Sequence, residues 1–181
     1  MDQDGSLSLA SSDRITDTIT SYAEIDGAWW KVTTNQVYAT ASDTTPTVVS
    51  VQKEQLSGFD SGVISKTVSV DTFGNETIIY TRVSRGNKTV KQYVEHPDST
   101  YDEWANTING LLVQQRTKTT VSTMYGYDAL GRQTEKEMAD DGAAGTVTII
   151  THYNDAGQID YTEDGAGNRT SYTYDSTGRR A

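Results

Sequence analysis

Two histidines are the residues of this sequence whose type most readily supports catalysis. His96 precedes a proline, and His152 lies inside a repeated, strand-like segment. A Ser-His-Asp site at His152 is conceivable because serine and aspartate are abundant, but the sequence has no G-x-S-x-G segment that would expose a serine at a strand-to-helix turn. We therefore predict that neither histidine is catalytic.

Three carboxylates, Asp160, Glu163 and Asp164, could supply the acid and base of a glycoside hydrolase. All three flank a turn signal, where acidic side chains accept backbone hydrogen bonds and keep the surface soluble. The turn role is the simpler explanation. We therefore predict no catalytic residue and no enzymatic activity.

Metal and cofactor patterns are equally weak. The segment Asp2 to Gly5 matches only part of a calcium loop, and Ser11 stands where that loop needs its closing acidic residue. The chain has no cysteine, which excludes disulfides and thiolate metal sites. We predict no metal site and no cofactor.

Three tryptophans are the candidate ligand-binding residues: Trp29, Trp30 and Trp104. Flat aromatic rings on a sheet can stack on sugars, so a glycan is the ligand class they suggest. Consecutive strand residues face opposite sides, so one of Trp29 and Trp30 can be core while the other is exposed. The alternative is that neighbouring hairpins cover both rings.

The composition favours an all-β fold with a thin core. Only 34% of the 181 residues are hydrophobic, and Thr, Ser, Tyr, Val and Gly dominate over Leu, Phe and Pro. The net charge of −10 would repel phosphate backbones, so we predict no nucleic-acid partner. No segment approaches the roughly 18 apolar residues of a membrane span, and the N-terminus does not have the pattern of a signal peptide.

A repeat of tyrosine, aspartate and glycine occupies the C-terminal third of the chain. Three copies align with spacings of 26 and 21 residues, and a second pattern, Asp-x-x-Gly-Asn-x-Thr, occurs at 71–77 and 164–170. The residues that we assign to the repeat are Tyr125, Tyr127, Asp128, Gly131, Arg132, Tyr153, Asn154, Gly157, Asp164, Gly167, Asn168, Tyr172, Tyr174, Asp175, Gly178 and Arg179.

The repeat has a local physical basis. An aspartate that begins a type I turn accepts a hydrogen bond from the backbone N–H two residues later, and glycine in the fourth position supplies the left-handed conformation that closes the hairpin. Paired tyrosines two residues apart, such as Tyr125 and Tyr127, lie on the same side of a strand and can cover cross-strand neighbours. We therefore predict that each repeat is a β-hairpin.

Turn signals recur every 9 to 14 residues from residue 71 onward, which predicts an antiparallel meander of successive β-hairpins from about residue 60. We divide the chain into an irregular N-terminal part of the same sheet, 1–57, and a repeat sheet, 58–181, with clear repeats over 120–181. Ser99 and Thr100 with Asp102 and Glu103 offer a capping box for a helix, but the strand alternative fits the turn spacing better.

The segments Tyr-x-Tyr-Asp-x-x-Gly-Arg at 125–132 and 172–179, with a degenerate copy at 151–158, resemble the YD repeat of the RHS family. That family includes bacterial RHS proteins, the C components of insecticidal toxin complexes and animal teneurins. In those proteins the repeats form a long β-sheet that spirals into a hollow shell, often around a toxic C-terminal segment. Because such a shell needs many more repeats, the resemblance implies a fragment of a longer polypeptide, or a subunit that completes its sheet with copies of itself.

The resemblance implies a structural function without catalysis: a shell, wall or filament formed by strand pairing. The expected partners are further repeats of the same polypeptide or copies of the chain, with a glycan or an enclosed polypeptide cargo as additional partners. The expected location is the cell surface or the secreted fraction, with the signal peptide outside this chain. The alternative function is a module that binds carbohydrates or a cell-surface partner through exposed aromatic residues.

Overall fold

The computed structural model of the chain is all-β. It describes residues 15–39, 44–98, 102–118, 121–140 and 145–181. In these ranges thirteen strands form one antiparallel sheet in which each strand neighbours the next along the chain, so the predicted meander is confirmed. The same ranges contain no helix, and therefore none that could span a membrane.

The strands differ in length, from eleven residues at the N-terminal side to three at the C-terminal side. They are β1 (Ile15–Ile25), β2 (Ala28–Tyr38), β3 (Thr47–Gln55), β4 (Val63–Val70), β5 (Glu76–Ser84), β6 (Thr89–Glu95), β7 (Glu103–Ile108), β8 (Leu111–Arg116), β9 (Val121–Tyr127), β10 (Gln133–Asp140), β11 (Thr146–Tyr153), β12 (Ile159–Glu163) and β13 (Arg169–Ser171).

Two hairpins are closed by two-residue turns with positive φ at both positions. Asp26 and Gly27 have φ values of +52° and +76° between β1 and β2, and Asn109 and Gly110 have +52° and +84° between β7 and β8. These are the values of a type I′ turn, whose twist matches that of the flanking strands. Asn-Gly, the sequence of the second turn, is typical of this turn type.

By contact density the chain forms two compact units. Unit 1 comprises residues 1–83 and 93–99, and unit 2 comprises residues 84–92 and 100–181. The division that we predict at residue 57 concerns the regularity of the repeats and stays a prediction.

Unit 1 has a small apolar core on one side of its sheet. Ala28, Trp30 and Val68 are buried, and Val32, Val70 and Ile78 pack against them. The core lies on one side because β2, β3 and β4 pair in a register that places Val32, Lys53 and Val68 side by side. Alternation along β4 fails at its start, where a register shift between Val63 and Ser65 leaves Ile64 59% exposed.

Unit 2 has no buried apolar side chain among its described residues. Its one buried residue there is Thr123, at 4% exposure. The apolar and aromatic side chains of these described residues are at most partly buried, so this partial burial acts together with strand pairing and with contacts between neighbouring hairpins.

The helix considered near residue 100 does not form over Glu103–Ile108, which is strand β7. The β-conformation wins because Thr107 and Ile108 favour a pleated strand and the Asn-Gly turn that follows requires one. The proposed caps Ser99 and Thr100 lie outside the described residues, as does the partial calcium loop at Asp2 to Gly5.

Candidate functional site

Five-residue turns of the pattern Asp-x-x-Gly-x are the recurring local structure of the chain. In the turn at 128–132, Oδ1 of Asp128 accepts the backbone N–H groups of Leu130 and Arg132, both at 2.9 Å, and Oδ2 accepts Nε of Arg132 at 2.7 Å. Backbone hydrogen bonds of 3.0 Å join Gly131 N to Asp128 O and Asp128 N to Arg132 O. Gly131 has a φ of +78°, as predicted for the fourth position.

The same conformation recurs in the turns at 71–75, 164–168 and 175–179. In each, Oδ1 of the aspartate accepts the N–H groups of the third and fifth residues at 2.8 to 3.0 Å. The fourth-position glycines have φ values of +80° to +83°. The two sequence patterns, which have Arg or Asn in the fifth position, therefore form the same type of turn.

An asparagine replaces the aspartate in the turn at 154–158. Oδ1 of Asn154 accepts the backbone N–H of Gln158 at 2.9 Å, and the two closing backbone hydrogen bonds are 2.8 Å long. A neutral amide oxygen is thus sufficient for the conformation, although it lacks the carboxylate's second acceptor oxygen.

These hydrogen bonds lower the pKa of the turn aspartates. The pKa of Asp175 falls from 3.8 to about 2, mainly because the Thr177 hydroxyl donates to it and then because the Arg179 N–H does. At Asp128 the backbone N–H of Arg132 is the main cause of the lowered pKa. Because the pKa is lower in the folded state, the ionised carboxylate stabilises the turn at pH values above the pKa of the unfolded state. This stabilisation is lost as the pH falls through the folded-state pKa.

The repeat tyrosines connect each hairpin to the strand before it. The hydroxyl of Tyr127 donates to the carbonyl of Leu112 at 2.7 Å, and that of Tyr174 to Ile159 at 2.9 Å. Tyr153 donates to the carbonyl of Gln133 at 3.1 Å. Each acceptor lies at or near the start of the preceding strand, directly after a turn, so each tyrosine ties its own strand end to the previous turn.

The fifth residue of the turn reaches in the opposite direction, to the next hairpin. The guanidinium of Arg132 lies 4.4 Å from the ring centroid of Tyr153, within cation–π range. One of its Nη atoms is also the nearest neighbour of Gly157, 3.3 Å from where a Cβ would stand. Nε2 of Gln158 donates to the carbonyl of Gly178 at 3.1 Å.

These contacts form a continuous series along one end of the hairpins of unit 2, which we call the turn rim: residues 109–110, 128–132, 154–158 and 175–179. Leu111, directly after the first of these turns, stands 3.9 Å from the Cβ position of Gly131. Arg132 and Gln158 each join their own turn to the next hairpin of the rim, so these turns position their neighbours as well as their own strands.

The last turn of the rim has the same internal hydrogen bonds but a different environment. Nε of Arg179 donates to Asp175 at 3.0 Å, as Arg132 does to Asp128. The Arg179 side chain is 81% exposed, whereas that of Arg132 is 30% exposed. Arg179 therefore makes the same hydrogen bond to its turn aspartate as Arg132 does, but among the described residues no tyrosine ring packs against its guanidinium.

His152 and the carboxylates considered for catalysis belong to a cross-strand contact series. Nδ1 of His152 is 3.1 Å from Oδ2 of Asp160, and its ring stacks on Tyr161 at 4.8 Å. The Arg169 guanidinium lies 3.8 Å from the centroid of Tyr161 and 3.1 Å from the Glu163 carboxylate. Asp164 is held inside its turn. The structure thus places each of these groups in a contact that stabilises strands.

The three tryptophans are not brought together into one site. Trp29 is 50% exposed, whereas its neighbour Trp30 is 9% exposed and belongs to the core of unit 1. The indole N–H of Trp30 is buried and has no hydrogen-bond partner among the residues that the structure describes. Trp104 is half-buried in unit 2. Of the three, Trp29 alone presents a large ring to solvent.

A shallow polar recess in unit 1 was not predicted from the sequence. It is lined by Asp60, Val63, Lys66, Tyr80, Arg82 and Glu95. Burial, and then a hydrogen bond to Glu95, raise the pKa of Tyr80 to about 12, and its ring stacks on Tyr93 at 4.7 Å. The phenol therefore remains protonated at neutral pH and acts as a hydrogen-bond donor.

No protein-family model matches the chain, and no curated protein is detectably similar to it. Among the described residues no group of three His, Asp or Glu side chains could hold a metal ion. The turn rim is therefore the candidate functional site on its geometry alone. Its residues were assigned from the sequence, but the contact from the fifth position to the next hairpin was not; the long side chains at Arg132, Gln158 and Arg179 were its sequence signal.

Replacing Gly131 with alanine should destabilise unit 2 by about 1 to 2 kcal/mol, because a Cβ strains a left-handed backbone. The site has space for the methyl group, whose closest neighbour would be Leu111 at 3.9 Å, so the cost comes from φ alone. Gly86→Ala is the matched control, since Gly86 has neither a positive φ nor a neighbour within 4 Å. Hydrogen exchange of the β9 and β10 amides measures the effect; equal protection in the two variants would contradict it.

We expect Asp128→Asn to keep the turn at 128–132 and Asp128→Ala to destabilise it. Asn154 shows that an amide oxygen can hold this turn, whereas alanine leaves the N–H groups of Leu130 and Arg132 without their acceptor. We expect Asp128→Ala to lower the melting temperature more than Asp128→Asn does. The stability difference between the parent and Asp128→Asn should narrow as the pH falls from the ordinary aspartate pKa through the lowered folded-state pKa of Asp128, because the parent carboxyl is neutral in both states only below that value. A pH-independent gap would contradict the proposed role of the charge.

Proposed function

We propose that this chain is a structural YD-repeat segment whose sheet forms part of a wall, shell or filament by strand pairing and has no catalytic role. The observation that carries the proposal is the turn rim. The turn at 128–132 contacts the next hairpin through Arg132, and the turn at 154–158 contacts the turn at 175–179 through Gln158. Such a series adds stability hairpin by hairpin and builds a continuous surface, as repeat proteins do.

The exposed Arg179 supports strand addition beyond the last described hairpin. Its guanidinium is held by Asp175 in the position that Arg132 uses to contact Tyr153. A further strand with a tyrosine in the equivalent place would supply the missing ring. Further repeats of the same polypeptide, or copies of the chain, have this chemistry.

The proposal places the chain in an RHS-like protein that is secreted or at the cell surface, where an enclosed polypeptide would be its cargo. The motif residues of the three copies support this assignment. They are held in the roles that the repeat pattern requires: tyrosines at strand ends, an Asp or Asn that begins each turn, and glycines with positive φ.

Light scattering across a dilution series tests the structural function. We expect a mass above that of the monomer that decreases on dilution, and that increases with salt because each copy carries a net charge of −10. A monomer at all concentrations and salt levels would contradict the proposal.

A second function, recognition of glycans, is supported by one observation. Trp29 exposes half of its surface on the side of β2 that faces away from the core of unit 1. Tyr22, 63% exposed, lies on the same side, since its cross-strand partner Lys31 is two residues from Trp29. Two exposed aromatic side chains on the same side of neighbouring strands are the kind of feature on which sugars stack.

A glycan array probes this second function. If it holds, some glycans will bind, Trp29→Ala will abolish that binding, and Trp104→Ala will leave it intact because Trp104 is half-buried elsewhere in the chain. Absence of binding, or binding that survives Trp29→Ala, would eliminate glycan recognition at this surface without affecting the structural proposal.

A further inference from the structure

The outer edge of β1 has the properties of a strand-pairing surface. β1 pairs with β2 over eleven consecutive residue pairs without a register shift, and no described strand pairs with its other edge. Its sequence, ITDTITSYAEI, contains no proline, lysine or glycine. Natural edge strands are normally protected by charged side chains, proline or bulges, or by being short. β1 has two acidic residues, Asp17 and Glu24, near its ends, but its pairing with β2 has no bulge and its centre carries neither a charge nor a proline.

The turn that follows β1 determines which of its backbone groups point outward. In a two-residue type I′ hairpin, the residues flanking the turn exchange both of their hydrogen bonds. Here those residues are Ile25 and Ala28. Counting back from Ile25, every second residue bonds to β2, and the residues between direct their N–H and C=O groups away from it. The outward residues are Thr16, Thr18, Thr20, Tyr22 and Glu24.

We propose that the outer edge of β1 pairs antiparallel with β1 of a second copy of the chain, around a twofold axis at Thr20. This inference rests on the proposed function, because it specifies one edge through which the sheet extends. In this register Thr20 lies opposite its own copy, and Thr18 lies opposite Tyr22 of the second copy. Each of the five outward residues of one copy then lies opposite an outward residue of the second copy. No other antiparallel register pairs all five.

The side chains are compatible with this register. Asp17 lies opposite Ala23 of the second copy, and Glu24 lies opposite Thr16, so no carboxylate faces another. The isoleucines that begin and end the strand meet across the interface. A parallel arrangement in the same position would bring each acidic residue next to its own copy, which is unfavourable. The antiparallel arrangement also gives the isologous, closed interface that most homodimers use.

Exposed apolar side chains on β1 give the pairing a second source of stability. Ile19, Tyr22 and Ile25 are 47%, 63% and 39% exposed. A second β1 would cover part of each, because a directly opposite residue stands about 5 Å away. Hydrogen bonds and partial burial of these side chains would therefore act together.

Cysteine cross-linking tests the register, since the chain has no cysteine of its own. Thr20→Cys should give a cross-linked dimer on oxidation or with a short bifunctional thiol reagent, because the two thiols lie opposite each other. Thr18→Cys alone and Tyr22→Cys alone should not, but a mixture of these two variants should. The proposal would be overturned if all single variants cross-linked equally. It would also be overturned if Thr20→Cys stayed monomeric and its thiol resisted alkylation, because another segment would then cover the edge.

Thr20→Pro and Thr20→Val provide the matched pair of edge variants. Proline removes an outward N–H without removing any hydrogen bond to β2, and valine keeps the N–H. We expect Thr20→Pro to halve the mass seen by light scattering and Thr20→Val to leave it unchanged. If Thr20→Pro loses its β-sheet circular dichroism, the cross-linking pattern decides. If folded Thr20→Pro still assembles and Thr20→Cys gives no cross-link, the β1 interface is wrong but the proposed structural function stands. If the parent chain does not assemble at all, the β1 interface and the structural function are both wrong.

Discussion

The hydrogen bonds between the first side chain of each turn and the backbone N–H groups that follow determine where this chain reverses direction. Strands of a meander have no helix or second layer to set their ends, so the reversal must be fixed locally. In the turn at 128–132 one carboxylate satisfies two backbone donors and a guanidinium, and the positive φ of Gly131 completes the reversal. Strand register, the positions of the tyrosines and the turn rim all follow from this local constraint.

Contacts between successive hairpins replace much of the hydrophobic core. Unit 1 fully buries three apolar side chains, whereas the apolar side chains among the described residues of unit 2 are at most partly buried. Between successive hairpins, tyrosine hydroxyls bond to backbone carbonyls and Arg132 lies over the ring of Tyr153. Each contact joins one hairpin to its neighbour. Stability therefore accumulates along the sheet, and the outermost strand on each side has neighbours on one side only.

The sequence was sufficient to predict what local chemistry decides. Turn residues with fixed conformational demands located the reversals, and their spacing predicted the meander, because Asp, Asn and Gly act on backbone atoms within five residues. Contacts between hairpins were harder to predict, since Arg132 and Tyr153 are far apart in sequence and meet only once the register is known. The exposure of Ile64 shows the same limit, because the register shift between Val63 and Ser65 depends on the partner strand and not on the sequence of β4 alone.

The turn rim has a direction, and this distinguishes the two edges of the sheet. Arg132 and Gln158 each extend toward the following hairpin, which receives them through a ring or a glycine carbonyl. An edge that presents Arg179 therefore cannot be completed by an identical edge, because two guanidinium groups would meet and repel. β1 has no such direction: its outward residues can pair with themselves around Thr20. A self-complementary edge suits a second copy of the chain, whereas a directional edge suits a further repeat with the opposite features. The chemistry of the rim thus favours continuation of the repeat series at β13 and symmetric pairing at β1.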